Sequence, residues 1–174
     1  ETGGADNGYA GWNDVYLQYD LGEPREIAQI KLWHNGYANA VSTFKNVKVE
    51  VSDTDDFASA QALYGTQDWE ETPANKLKPQ IVAPDAPVTA RYVRVWQKGH
   101  YIQNTNSSWK GYSNGVAFRE IEVIAKLKNG ETSPSVQQET RNIAAGKIPY
   151  VYGLAPTNIE AISDGKLDDD YAVH

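Results

Sequence analysis

Apolar residues in this chain recur at every second position in run after run, a period that suits strands and not helices. Val15, Leu17 and Tyr19 alternate with Tyr16, Gln18 and Asp20, and the run ends in the turn Leu21-Gly22-Glu23-Pro24. Ile27 to Trp33 follows, with Ile30 and Leu32 set against Gln29 and Lys31. Val47, Val49 and Val51 alternate with Lys48, Glu50 and Ser52 as far as the turn-forming Asp53-Thr54-Asp55-Asp56. Ile81-Val82 is a short piece between Pro79 and Pro84, and Val88 to Trp96 is a longer one. Phe118 to Leu127 closes the series, with Ile121 and Val123 on one face and Glu120 and Glu122 on the other. The only helix-like stretch, Asp56 to Leu63, is isolated and one turn long at most. Short strands joined by Gly, Pro and Asp turns predict an all-β, antiparallel sandwich.

Composition then removes whole classes of function. At 174 residues the chain is one domain's worth, large enough to bury a core without a metal or disulfide. It has no Cys, which excludes disulfide scaffolds, zinc fingers and thiol nucleophiles. No apolar run approaches the roughly 20 residues that cross a bilayer, and no leader opens the chain, so a mature portion or an excised fragment is expected. A net charge of −7 argues against nucleic acid or an anionic membrane surface as partner, since both require clustered Lys and Arg. What the chain does have is rings, 11 Tyr and 5 Trp, which suits a surface that packs against flat apolar faces.

Residues 98–115 read as a long strand-free loop carrying Tyr101, Trp109 and Tyr112 among Asn and Ser, and a loop of that length in a compact β domain is functional or mobile. Residues 129–141 read as a polar linker, which divides the chain into most of a sandwich module at 1–128 and a segment at 142–174. That last segment runs Asn142-Ile143-Ala144 to Asp164-Gly165, then Asp168-Asp169-Asp170 and Tyr171-Ala172, close in pattern to the Ala5-Asp6-Asn7-Gly8-Tyr9-Ala10 opening. The chain thus reads as starting partway into one module and ending partway into a second copy.

Tyr16-Leu17-Gln18-Tyr19-Asp20-Leu21-Gly22 with Ile27 and Ile30 resembles the signature of coagulation factor type C (discoidin) domains. Within that superfamily the chain is most similar to bacterial family 32 carbohydrate-binding modules. Ala90 to Val95 resembles the penultimate strand, Phe118 to Val123 the closing strand, and Asn142 to Gly165 the opening segment with its Asp-Gly turn. The resemblance implies a galactose-binding-domain-like jelly roll whose first strand is supplied from the C-terminal end. Either residues 142–174 fold back to complete the sandwich as a circular permutation, or they belong to a neighbouring module cut short. The hazard of an unpaired edge favours the first.

Catalysis is not expected. The carboxylates sit in no distinctive motif, there is no nucleophile elbow, metalloprotease motif or phosphate-cradling loop, and His34, His100 and His174 are scattered. The resemblance implies instead a structural calcium ion held by the carbonyl of Arg119, the carboxylate of Glu120, and Asp164 with Asp168 or Asp169; the bland alternative is a solvated acidic loop. It also implies a sugar site. Sugar rings pair apolar C–H faces with hydroxyls, so their sites combine an aromatic platform with fixed polar groups. Trp33 to Asn39 supplies both. In galactose-binding members this loop carries Arg followed five residues later by Asn, and His34 and Asn39 occupy those places here. The missing Arg puts the galactose preference in doubt. Tyr37 lies within this loop, Tyr101, Trp109 and Tyr112 would supply the stacking face and Tyr9 or Trp12 another wall, while Trp33 reads as core and Trp96 as strand-end packing. The expected role is a non-catalytic carbohydrate-binding module of a secreted or cell-wall glycoside hydrolase, with tandem modules and no membrane insertion. A protein-binding or spacer module is the alternative.

Overall fold

The computed structural model describes residues 16–34, 36–37, 40–44, 47–65, 79–97, 100–104, 110–113, 118–131 and 140–152. Every regular element among them is a strand: β1 (Tyr16–His34), β2 (Gly36–Tyr37), β3 (Ala40–Phe44), β4 (Val47–Ser52), β5 (Gln61–Gly65), β6 (Gln80–Val82), β7 (Val88–Gln97), β8 (His100–Asn104), β9 (Lys110–Ser113), β10 (Phe118–Lys126), β11 (Thr140–Asn142) and β12 (Tyr150–Tyr152). All pairings between them are antiparallel. Asp56 to Leu63 is a turn followed by β5, so its one-turn helical pattern yields to pairing with β4.

The turn expected at Leu21–Pro24 does not separate two strands. β1 runs straight through it, with Asp20 opposite Tyr92 and Arg25 opposite Ala90, so four residues of β1 face Arg91 alone. Gly22 supplies the left-handed residue of this wide bulge at φ 88°. Asp20 fastens it by accepting from the Gly22 amide at 2.7 Å and from Arg91 Nε at 2.8 Å. The Arg91 guanidinium holds the Asp20 carboxyl down at about 2.

β1 keeps its pairing with β7 across the bulge as far as Ile27, with β12 on its other side at Tyr16–Gln18, and from Ile27 onward it pairs with β10, with β6 on its other side at Ile30–Leu32. One strand thus serves both sets, with β4 and β5 extending the first and β11 the second. Inward residues of the first set (Leu17, Tyr19, Val49, Val51, Val93, Val95) and of the second (Ile30, Leu32, Val82, Ile121, Val123, Ala125) form a single buried core. Each such side chain contributes about 1.5–3 kcal/mol by leaving water, which is why the period-two pattern decides the fold.

Two features close the corner. Arg25, 3% exposed, donates to both carboxylate oxygens of Glu131 at 2.7 and 2.5 Å, to the Lys126 carbonyl at 3.0 Å and to Glu23 at 3.2 Å. The Arg25 guanidinium, helped by the Lys128 amide, brings the Glu131 carboxyl down to about 2. Residues 140–152 return to the same strands. Asn142 Oδ1 accepts from the amides of Val123 and Ala144, and Ile143 and Ala144 enter the core. β12 then lines up against the start of β1, Tyr150 opposite Gln18 and Tyr152 opposite Tyr16.

Candidate functional site

Residues 98–115, read from sequence as strand-free, carry β8 and β9. With β2 and β3 these form a separate four-stranded sheet in the order β2-β3-β8-β9. The pairing of β3 with β8 joins the segment following Trp33 to the aromatic segment more than fifty residues later in the chain, with Thr43 opposite Tyr101 and Tyr101 opposite Tyr112. Tyr101 and Tyr112 are therefore a direct cross-strand pair. Tyr37 is opposite Ala40, an odd step along β3 from Thr43, and so occupies the other phase of the pleat. His34 ends β1 opposite Phe118, next to the start of β2. Asn39 and Trp109 lie outside the described residues.

Of the expected metal ligands, Arg119 and Glu120 stand in β10, and Asp164, Asp168 and Asp169 lie outside the described residues. Glu120 is on the polar phase of its strand, opposite Trp33, yet it is fully buried and not a solvated outward glutamate. A carboxylate and a backbone carbonyl are hard oxygen donors, so this pair fits calcium by donor chemistry. Among the described residues no three His, Cys, Asp or Glu cluster as a metal site.

The outer faces of the two layers differ. On β1 and β10, Trp33 donates its indole N–H to Glu122 at 3.3 Å, and Glu122 pairs with Lys31 at 2.9 Å. Trp33 is thus half-buried on the outward phase; the core positions beside it are Ile30 and Leu32. On β1, β7 and β12 the outward residues are Tyr16 and Gln18, Arg94 and Trp96, and Tyr150. The rings stand in a row, with Tyr16 4.7 Å from Trp96 and 6.5 Å from Tyr150 between centroids, tilted by about 50° each. Trp96 donates to Glu50 at 2.6 Å and carries Lys48 Nζ 5.0 Å above its ring.

Arg94 is the centre of this face. Its guanidinium carbon lies 4.1 Å from the Tyr16 ring centroid and 3.8 Å from that of Phe57, and Nε and one terminal nitrogen donate to Gln18 Oε1 at 3.1 and 2.7 Å. Phe57 reaches over from the β4–β5 turn. The turn is shaped by Asp56, which accepts from Thr54 Oγ1 at 2.6 Å and from the Ala58 amide at 2.9 Å, bonds that keep its carboxyl below the usual range. Phe57 itself sits at φ 58°, a left-handed conformation unusual for an aromatic residue. The sequence carries only a faint signal of this face: Tyr16 and Gln18 fall on the polar phase of their strand, and Trp96 stands at a strand end, a position that more often means packing.

A comparison with curated proteins gives no significant match. The chain is similar to the solved structure of a CBM32 of AlyQ in complex with 4,5-unsaturated mannuronic acid, at 16% identity over 62% of this chain and 68% of that one, with a TM-score of 0.39. The F5/8 type C domain profile matches residues 2–114, a continuous stretch of well over half the chain that takes in β1 to β9. On that match, the chain belongs to the F5/8 type C (discoidin) domain family.

Proposed function

We propose that this domain is a non-catalytic carbohydrate-binding module. The observation that carries the reading is the small four-stranded sheet, which joins two aromatic segments far apart in sequence and sets Tyr101 directly opposite Tyr112. On such a platform rings can stack on the C–H face of a sugar, while His34 and Asn39 would supply hydrogen bonds from the neighbouring segment and Trp109 a further wall; Tyr37, on the opposite phase of the pleat, is not part of this face. A shallow site of this kind binds at millimolar to high micromolar strength, about 4–6 kcal/mol. Tandem copies in a secreted or wall-attached glycoside hydrolase would raise that through effective concentration.

Residues 142–174 are, in this reading, the module's own opening segment, permuted to the C-terminal end; the pairing of β11 with β10 and of β12 with β1 supports it. Structural calcium would be held by Glu120 and the Arg119 carbonyl with Asp164 and Asp168 or Asp169, fixing that segment to β10.

A glycan array followed by calorimetry tests the function. The expected result is one glycan class bound above background, with at least tenfold weaker binding by Tyr112→Ala and by Trp109→Ala at unchanged thermal midpoint. An intact fold that retains no glycan assigns the domain to the protein-binding or spacer role. For calcium, a midpoint that rises with added calcium in the parent chain and not in Glu120→Gln is the expected outcome.

A further inference from the structure

We propose that the outer face formed by β7, β1 and β12 is a second site, separate from the small sheet, that takes a neutral pyranose. It rests on the carbohydrate-binding reading for the class of ligand, but not for the place. The face encloses a cleft of about 540 Å³ lined by Tyr16, Gln18, Asp55, Asp56, Arg94, Trp96 and Tyr150. That is within the ~300–1,000 Å³ usual for small-molecule sites.

Three properties select the ligand. The first is the row of rings. Trp96 is held by Glu50 and Lys48, Tyr16 is stacked beside it, and Tyr150 is 61% exposed at the open end, so apolar ring surface faces the cleft. Burying such surface against a second flat apolar face is the favourable step, and the C–H face of a pyranose provides one.

The second is fixed polar chemistry. Gln18 accepts twice from Arg94 and donates its Nε2 to the Asp55 carbonyl at 3.2 Å, which sets the orientation of its amide. Arg94 is held against the Tyr16 and Phe57 rings, 4.1 and 3.8 Å from their centroids. Its second terminal nitrogen donates to no described residue. Asp55 and Asp56 line the same cleft and add acceptor oxygens to it. A hydroxyl, both donor and acceptor, satisfies both sides of such a cleft.

The third is charge. One guanidinium against two carboxylates leaves the lining net negative, on a chain of net charge −7. Uronates and phosphates are therefore disfavoured relative to an uncharged ring. Phe57 shows that the arrangement is imposed: its strained left-handed backbone places the ring that packs against Arg94. The site is thus organised before a ligand arrives.

The test is an NMR titration of the full-length, ¹⁵N-labelled chain with methyl galactoside, methyl glucoside and methyl mannoside, and with galacturonate as the charged probe. The Trp96 indole N–H is identified by its disappearance in Trp96→Phe. We expect a saturable shift of that resonance with at least one neutral glycoside, and at least tenfold weaker binding by Tyr150→Ala, whose exposed side chain can be removed without disturbing the core. No shift with any neutral glycoside overturns the second site. So does a titration in which every shift vanishes in Tyr112→Ala and persists in Tyr150→Ala; that result leaves the carbohydrate-binding function standing on the small sheet alone. Tighter binding of galacturonate than of the matching galactoside overturns the assignment of a neutral ligand.

Discussion

Arg25 at the corner and Arg94 on the outer face are the same side chain used in opposite ways. Arg25 is 3% exposed and both its terminal nitrogens are engaged, by Glu131, Glu23 and the Lys126 carbonyl. It answers a structural demand, the carbonyl and carboxylate brought together where β1 changes layers. Arg94 is only half-buried, packs against two rings and lines an open cleft. Charge enclosed on all sides holds a fold; charge held by rings beside an open space holds something else. A bidentate pair rigidifies both partners, whereas ring stacking fixes an arginine's plane and leaves N–H groups for another molecule.

The contrast is easiest to break with stability measurements. Arg25→Ala removes the buried partner of Glu131, which keeps only the exposed Arg141, and leaves a carbonyl without a donor; it is expected to cost about 3 kcal/mol in denaturant unfolding. Arg94→Ala loses ring stacking on a half-exposed surface and is expected to cost about 1 kcal/mol. Equal losses in the two variants would abolish the distinction.

Phe57 sharpens it further. Glycine normally destabilises relative to alanine, but at φ 58° the order reverses. Phe57→Gly is expected to be more stable than Phe57→Ala by about 1 kcal/mol, and both are expected to loosen Arg94. The usual order would mean that the turn is not strained.

The corner also has a pH signature. Glu131 ionises at about 2 in the folded protein against an ordinary value of 4.5. The folded state then holds fewer protons than the unfolded one in that window, so this contribution is complete above about 4.5 and is lost as pH falls through about 2. Glu131→Gln should flatten the acid limb of the stability curve across that interval and leave the cleft's ligand titration unchanged. The smallest effect belongs to Arg91→Ala. Its ion pair with Asp20 is exposed at both ends, and the expected change in thermal midpoint is within measurement error.

The strands with a clean two-residue period were legible in advance. β1, β4, β6, β7 and β10 fall where alternation places them, because their inward residues form the core. β8 and β9 were read as loop because the segment around them is polar and punctuated by Asn and Ser, and β11 and β12 are too short to show a period. The bulge at Leu21–Pro24 was visible as a break but not as a continuous strand, since only pairing distinguishes the two. Among candidate site residues, the aromatic content of 98–112 was readable, and the Tyr101–Tyr112 pairing was not. Trp33 looked like core because a large ring beside apolar neighbours usually is, yet Glu122 and Lys31 hold it on the outward phase.

By itself, then, the sequence determined the class of fold and the residues that leave water, because burial follows local alternation and is summed residue by residue. Only the tertiary structure decided that Arg25 closes a corner while Arg94 lines a cleft, and that Tyr16, Trp96 and Tyr150, distant in the chain, stand in one row. Partners of that kind come together through strand pairing and turn geometry, which depend on contacts between remote segments and leave no local period to read.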